Sequence, residues 1–200
     1  MIAQPLKLGF LASGNGSSAR AIVAAIQAGD LAAEARLLVS NNRNAPALTY
    51  VAQLGVPAVH IPTQSDPQAA DARLAEAMVT HGVEVIVLSG YLRQLGPRTL
   101  QRYEGRILNI HPGPLPRFGG HGMYGRRVHE AVISAGVAES GIVIHLVDAE
   151  YDRGPVIARR SVPVEPGDTA ETLETRVTSL EPAFFVETLS RIAQGALKLP

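Results

Sequence analysis

The stretch "LKLGFLASGNGSSARAIVAAIQAG", residues 6–29, decides the fold. Residues 6–13 form a short apolar run, the pattern of a strand buried on both faces. Residues 18–29 place Ile22, Val23 and Ile26 at helical spacing and stop at Gly29. Between them, "SGNGSSA" (13–19) turns the chain through Gly14 and Gly16. A buried strand, a tight glycine turn and an amphipathic helix open a βαβ unit, and with it a parallel sheet.

Working outward, the alternation continues. Residues 35–41 ("ARLLVSN") read as a second strand and 45–55 as a helix closed by Gly55. Residues 57–62 read as a third strand, placed near a sheet edge because prolines bracket it. A helix over 67–82 and a strong strand over 83–90 follow, then "ILNIHP" (107–112) as a fifth strand. After a helix over 126–136, "GIVIHLVD" (141–148) and "PVIARRSVPV" (155–164) form a late strand pair, which predicts an antiparallel extension. Residues 168–195 read as one long helical stretch. Asp168 is its expected N-cap with Glu171 at N3, and Pro182 is expected to kink or interrupt it. The expectation is one domain over 1–200: a Rossmann-like, mostly parallel twisted sheet with helices on both faces.

Composition excludes several classes. Lysine plus arginine and aspartate plus glutamate are 18 each, so no broad field draws nucleic acid or an acidic membrane. There is no cysteine, which removes disulfides, thiolate metal sites and cysteine nucleophiles. No run approaches the roughly 20 apolar residues of a membrane span, and "MIAQPLKLGF" is not a signal-type start. A cytoplasmic protein, monomer or homodimer, acting on small molecules is the expectation.

Three segments carry candidate chemistry. At 13–19, Gly14 and Gly16 let the backbone approach a ligand, and the N–H groups of Gly16, Ser17 and Ser18 face outward at a positive helix end. The turn also satisfies G-x-G-x-x-A, a dinucleotide fingerprint, but that fingerprint wants an acid at the end of strand two. "VSNNRN" (39–44) has none, which favours a phosphate monoester over NAD; a plain Gly/Ser turn remains the other reading. In "RILNIHP", alternation puts Leu108 and Ile110 on one face and Asn109 and His111 on the other. Both polar groups fall near the strand's carboxyl end, where open α/β sheets bind ligands. An imidazole moves protons near neutral pH and an amide donates to an oxyanion without changing charge, so the pair suits attack on a carbonyl. A hydrogen-bonded pair at a strand end is the alternative. The third segment, "VDAEYDRGP" (147–155), offers Asp148, Glu150 and Asp152. A carboxylate beside His111 would orient it and raise its pKa, and spacing does not choose among the three.

The remaining histidines read as ordinary core and surface residues. His111, His121, His129 and His145 stand ten, eight and sixteen apart, which matches no compact metal motif, so no metal is expected. Arg126 and Arg127 read as a solvated helix start.

Taken together, "SGNGSS", "VSNN", "VIVLSGYLRQL", "ILNIHPGPLP", "GMYG", "SGIVIHLVDAEYDRGPVI" and "VPVEPGDTAETLETRV" resemble the phosphoribosylglycinamide formyltransferase family, over almost the whole chain. The resemblance implies formyl transfer from 10-formyltetrahydrofolate, as co-substrate, to the amine of 5-phosphoribosylglycinamide in purine synthesis. It implies that Asn109 and His111 stabilise the oxyanion, with His111 as general acid. Asp152, the acid before x-Gly-Pro-Val-Ile, matches the family's aspartate that keeps the histidine charged and relays the amine proton. Gly14, Asn15, Gly16, Ser17 and Ser18 would take the phosphate, and Thr178, Ser179, Leu180 and Glu181 the ribosyl-glycinamide end. Leu92, Arg93, Gln94, Leu95 and the loop Asp148, Ala149, Glu150, Tyr151, Asp152, with Asn109, would hold the pterin.

The chain departs from the family pattern in places. Ser18 replaces an asparagine, "HPGPLP" replaces "HPSLLP", "GGHGMYGRRV" (119–128) is longer than the commonest form, and Pro67 stands where many members have an arginine for the folate. Within the superfamily, a tRNA formyltransferase adds a C-terminal domain and a formyltetrahydrofolate hydrolase an N-terminal one. A chain of this length therefore reads as the small-nucleotide enzyme, with the hydrolase second. A nucleotide-binding module without chemistry would leave Asn109, His111 and Asp152 unexplained.

Overall fold

The computed structural model describes residues 5–200. The first four residues of the "MIAQPLKLGF" start lie outside the described part. Seven strands form one sheet in the order β3-β2-β1-β4-β5-β6-β7. Strands β1 (Leu6–Leu11), β2 (Ala33–Ser40), β3 (Ala58–His60), β4 (Val85–Leu88) and β5 (Ile107–His111) run parallel, joined through helices. Strand β6 (Glu139–Leu146) runs antiparallel to β5, and β7 (Val156–Pro163) antiparallel to β6. The parallel sheet with its antiparallel extension is as the sequence predicts, and β3 takes the edge.

The parallel strands alternate between two apolar cores. Leu8, Phe10, Leu38, Val87 and Leu108 face one side of the sheet, against helices α1 (Ser17–Ala28), α2 (Pro46–Gln53), α5 (Arg126–Ser134) and α6 (Ala170–Ala193). Leu37, Val39, Ile86, Leu88 and Ile107 face the other, against α3 (Pro67–Thr80) and α4 (Pro97–Arg102). With both faces covered, the central strands read as continuous apolar runs.

Helix α4 is absent from the sequence reading. Its start is capped by Asp71, on α3, whose carboxylate accepts from the backbone N–H of Arg98 (2.8 Å) and Thr99 (3.1 Å). A cap supplied from a different helix leaves no local signature.

Two expectations for α6 are corrected. The N-cap is Thr169, not Asp168, and the box closes with Thr172 at N3, not Glu171. Asp168 instead accepts two bonds from the Arg176 guanidinium, at 2.6 and 2.8 Å. That pair holds the Asp168 carboxyl well below the usual carboxylate range. Pro182 does not interrupt the helix, which runs unbroken through it. It removes one N–H and so frees the carbonyl of Thr178 one turn earlier.

The strand order reverses direction between β1 and β4. In open α/β sheets the crevice outside the carboxyl ends at such a switch is where ligands sit. The loops after β1 and β4 are tied together there: Ser13 N–H donates to the Gly90 carbonyl (3.1 Å), and Ala19 N–H to Ser89 Oγ (3.0 Å).

Candidate active site

The turn after β1 occupies this crevice. Gly16 caps α1 at φ 61, a left-handed conformation that favours glycine. A Cβ there would also stand 3.0 Å from Ala47 and 3.1 Å from Ala12, so the turn is pressed against α2 and β1. A pocket of about 250 Å³ opens beside it, lined by residues 13–18, Ser89, Gly90, Leu92, Ile110 and Glu181. The expected Gly14, Asn15, Gly16, Ser17 and Ser18 all lie on this wall.

Of the four residues expected from α6, Glu181 alone reaches the pocket. Thr178 and Ser179 turn their hydroxyls onto their own helix, bonding the carbonyls of Glu174 (2.7 Å) and Arg176 (2.8 Å). Leu180 packs against the core. Burial pushes the Glu181 carboxyl up to about 7.

Asn109 and His111 share a face, as alternation requires, and the third strand partner defines what that face does. Antiparallel pairing sets Asn109 directly opposite His145. Opposed residues on neighbouring strands point the same way. The Asn109 amide nitrogen lies 3.1 Å from His145 Nε2, and His145 Nδ1 lies 2.8 Å from the Leu146 carbonyl. A carbonyl only accepts, so Nδ1–H donates to Leu146 and Nε2 accepts from the Asn109 amide. One amide hydrogen of Asn109 is thereby used and the other is left for a ligand. His145, read from sequence as an ordinary core histidine, belongs to the site.

The acidic loop resolves to one residue. Asp148 and Glu150 are exposed, and Asp148 Oδ1 merely accepts from the Glu150 N–H (2.9 Å). Asp152 turns inward. Its Oδ2 is 3.5 Å from His111 Nδ1, its Oδ1 is 3.4 Å from His145 Nε2, and Gly120 N–H donates to Oδ2 at 2.9 Å. Asp152 sits at φ 57, a left-handed backbone uncommon outside glycine. Gly154, two residues on, passes so close to β6 that a Cβ there would lie 1.9 Å from the Leu146 carbonyl oxygen. Burial works to raise the Asp152 pKa, but a proton on the facing nitrogen of the His145 or His111 ring, together with the Gly120 N–H, outweighs it, and the carboxyl is held below its usual value.

For His111 the expected carboxylate is in place and raises its pKa, but it does not prevail. The His111 side chain is only 4% exposed, and burial lowers its pKa more than Asp152 and the Phe118 carbonyl raise it. The free protein therefore favours the neutral imidazole near pH 7. Nε2 donates to the Phe118 carbonyl at 2.7 Å. The proline-rich loop folds back to put that carbonyl there, helped by Phe118 N–H donating to Pro114 O at 3.0 Å. Nδ1, left unprotonated, faces a carboxylate. A proton taken up at Nδ1 gains a partner at once, so the site is built to accept one.

A second cleft lies beyond Asn109, His145 and Asp152. Leu88, Tyr91, Leu95 and Val147 give it apolar walls, and residues 148–152 line it as well. A flat heteroaromatic ring with a polar edge suits such a slot. Arg93, Gln94 and Leu95 line it, whereas the highly exposed Leu92 lies on the side of the turn after β1. Pro67 opens α3, next to Tyr91, Gln94 and Leu95. Among the described residues no group of three or more histidine, aspartate or glutamate side chains is arranged to hold a metal ion. No helix there is long and apolar enough to cross a membrane.

The fold and site define an α/β protein with a polar cluster of Asn109, His111, His145 and Asp152 at the carboxyl edge of its sheet, beside a cleft that three of them line. The chain belongs to the formyl transferase family, whose model matches residues 6–189. It is 37% identical over 190 residues to the chloroplastic phosphoribosylglycinamide formyltransferase of Vigna unguiculata, covering 94% of this chain and 61% of that one. It is 34% identical to the phosphoribosylglycinamide formyltransferase of Bacillus subtilis, covering 93% and 94% of the two chains. Glycinamide ribonucleotide transformylase 1 from Symbiobacterium toebii superposes with a TM-score of 0.88 at 32% identity, covering 98% of this chain and 92% of that one.

Proposed function

We propose that this chain transfers the formyl group of 10-formyltetrahydrofolate to the amine of 5-phosphoribosylglycinamide, giving the N-formyl product and tetrahydrofolate, in purine synthesis. The observation that carries this reading is the cluster of Asn109, His111, His145 and Asp152, three of which line the second cleft where it adjoins the first through the neighbours Asn109 and Ile110. The 14–18 turn and Glu181 line one cleft, for the ribonucleotide, and the cleft walled by Leu88, Tyr91, Leu95 and Val147 is the other, for the pterin. A nucleotide amine and a folate formyl group would meet where the two clefts adjoin, beside Asn109.

The folate supplies an activated formyl carbon and a nitrogen leaving group. The free Asn109 amide hydrogen donates to the formyl oxygen as it becomes negative, with no change in the amide's own charge. His111 reaches the same oxygen by giving up its bond to the Phe118 carbonyl. Negative charge beside the imidazole offsets its burial, so its proton affinity rises as the amine attacks. Asp152, ionised before the attack, takes the amine's proton through water and passes it to His111 Nδ1, and the carboxylate then accepts the hydrogen bond of the protonated ring. The new carbon–nitrogen bond forms as the bond to the folate nitrogen breaks, and the proton lost by the amine returns to that nitrogen. His145 acts through Asn109 by fixing which way its amide points.

The test is folate deformylation followed by absorbance, with and without the ribonucleotide. Ribonucleotide-dependent turnover is expected. Well-folded protein without turnover would sink the reading, and deformylation without the ribonucleotide would make the chain a hydrolase.

A further inference from the structure

The phosphate turn carries an unsolved charge problem. Its pocket has one ionisable side chain on the wall, and that is the acidic Glu181. A phosphate monoester brings nearly two negative charges at neutral pH. Serine hydroxyls and backbone N–H groups solvate those charges without neutralising them.

Resting on the formyl-transfer reading, we infer that Arg20 is the specificity residue that recognises the substrate's phosphate. Arg20 stands one turn into α1, yet its side chain folds back toward the helix start. There Nη1 donates to Asn15 Oδ1, and the guanidinium lies 4.2 Å from the centre of the Tyr50 ring. Tyr50 is on α2, which is itself fixed to the turn by Ala47 N–H donating to the Gly14 carbonyl (3.3 Å).

This is a costly place for a cation. The N-terminal end of a helix is already positive, and α1 has no acidic residue in its first turn. Among the described residues Arg20 makes no salt bridge, as is true of most arginines here, but it alone hydrogen-bonds the side chain of a residue that lines this pocket. Its only partners are a neutral amide and an aromatic face. Those orient the guanidinium and leave most of its five N–H donors unused. A cation oriented at a positive helix end by Asn15, which lines the pocket, with free donors and no counterion, is the complement of a dianion. The planar fork gives two parallel bonds to one phosphate, which an ammonium does not. Asn15, expected from sequence to touch the ligand itself, is engaged here in aiming Arg20.

The test compares the ribonucleotide with its dephosphorylated riboside, and adds inorganic phosphate as a competing ligand. Arg20→Gln is expected to raise KM for the ribonucleotide about 10- to 100-fold, the loss of a charge-assisted pair. It should move kcat little and leave binding of the riboside as it was, so the preference for the phosphorylated form collapses. Inhibition by inorganic phosphate should weaken in parallel. Arg20→Lys should retain part of the preference, and Tyr50→Ala should lose part of it with the charge intact. Equal weakening of both ligands in Arg20→Gln would make Arg20 a staple between Asn15 and Tyr50, and would overturn the inference. Wild-type protein that binds both forms equally overturns it as well. Wild-type protein that binds neither overturns the formyl-transfer reading with it.

Discussion

His145 holds the Asn109 amide from the neighbouring strand, Nε2 to amide nitrogen at 3.1 Å, while its own Nδ1 is anchored on the Leu146 carbonyl. An amide free to rotate offers a formyl oxygen its carbonyl half the time. Held this way, it presents a hydrogen. His145→Ala should therefore lower kcat about 100-fold with KM nearly unchanged, the cost of a misaimed donor. Steady-state kinetics of the folded variant decides it. A KM effect alone would reduce His145 to a packing residue.

Asp152→Asn keeps the shape and tolerates the left-handed backbone at φ 57, since asparagine adopts that conformation readily. It removes the charge beside His111. Burial already lowers the His111 pKa and Asp152 opposes that effect, so the variant's pKa should fall further. Turnover should drop by roughly 100- to 10,000-fold with the fold intact. Titrating the His111 ring protons by NMR gives the sign directly. An upward move would mean that Asp152 is not the ring's partner.

Gly154→Ala tests the backbone that carries Asp152. Its Cβ would fall 1.9 Å from the Leu146 carbonyl oxygen, on a buried main chain that has nowhere to retreat. The loop must leave β6, and the expected loss is at least about 3 kcal/mol. Denaturant melts measure it. Normal stability with normal activity would show that the loop is not held against β6.

Glu181→Gln separates charge from shape at the α6 wall. The carboxyl is pushed up to about 7 in the folded protein against about 4.5 unfolded, so between those values the folded chain binds more protons. Stability therefore falls as pH rises through that window, and stays low above it. The glutamine variant should lack that fall and gain roughly 2 kcal/mol over wild type at pH 8, allowing for partial exposure. Thermal melts from pH 4.5 to 8 follow it. Parallel curves would place Glu181 in contact with solvent.

Much of this was legible in the chain itself. Apolar runs of strand length alternating with helical spacing determined a covered parallel sheet, because burial on both faces leaves no polar positions in a central strand. Alternation alone put Asn109 and His111 on one face, and Gly14 and Gly16 marked the turn at the crevice. These are local patterns, set by residues close together along the backbone.

What only the tertiary structure decided depends on segments far apart in sequence. His145 joins Asn109 because β5 and β6 pair in one particular register, and a shift of one residue would turn it to the opposite face. Asp152 is chosen over Asp148 and Glu150 by a left-handed backbone and by the Gly120 N–H, thirty-two positions away. Asp71 caps α4 across twenty-eight positions, so that helix has no cap of its own to read. The charge state of His111 turns on burial, which no neighbour in the sequence reports. Periodicity fixes which way a side chain points from its own strand; what it meets there is set by packing.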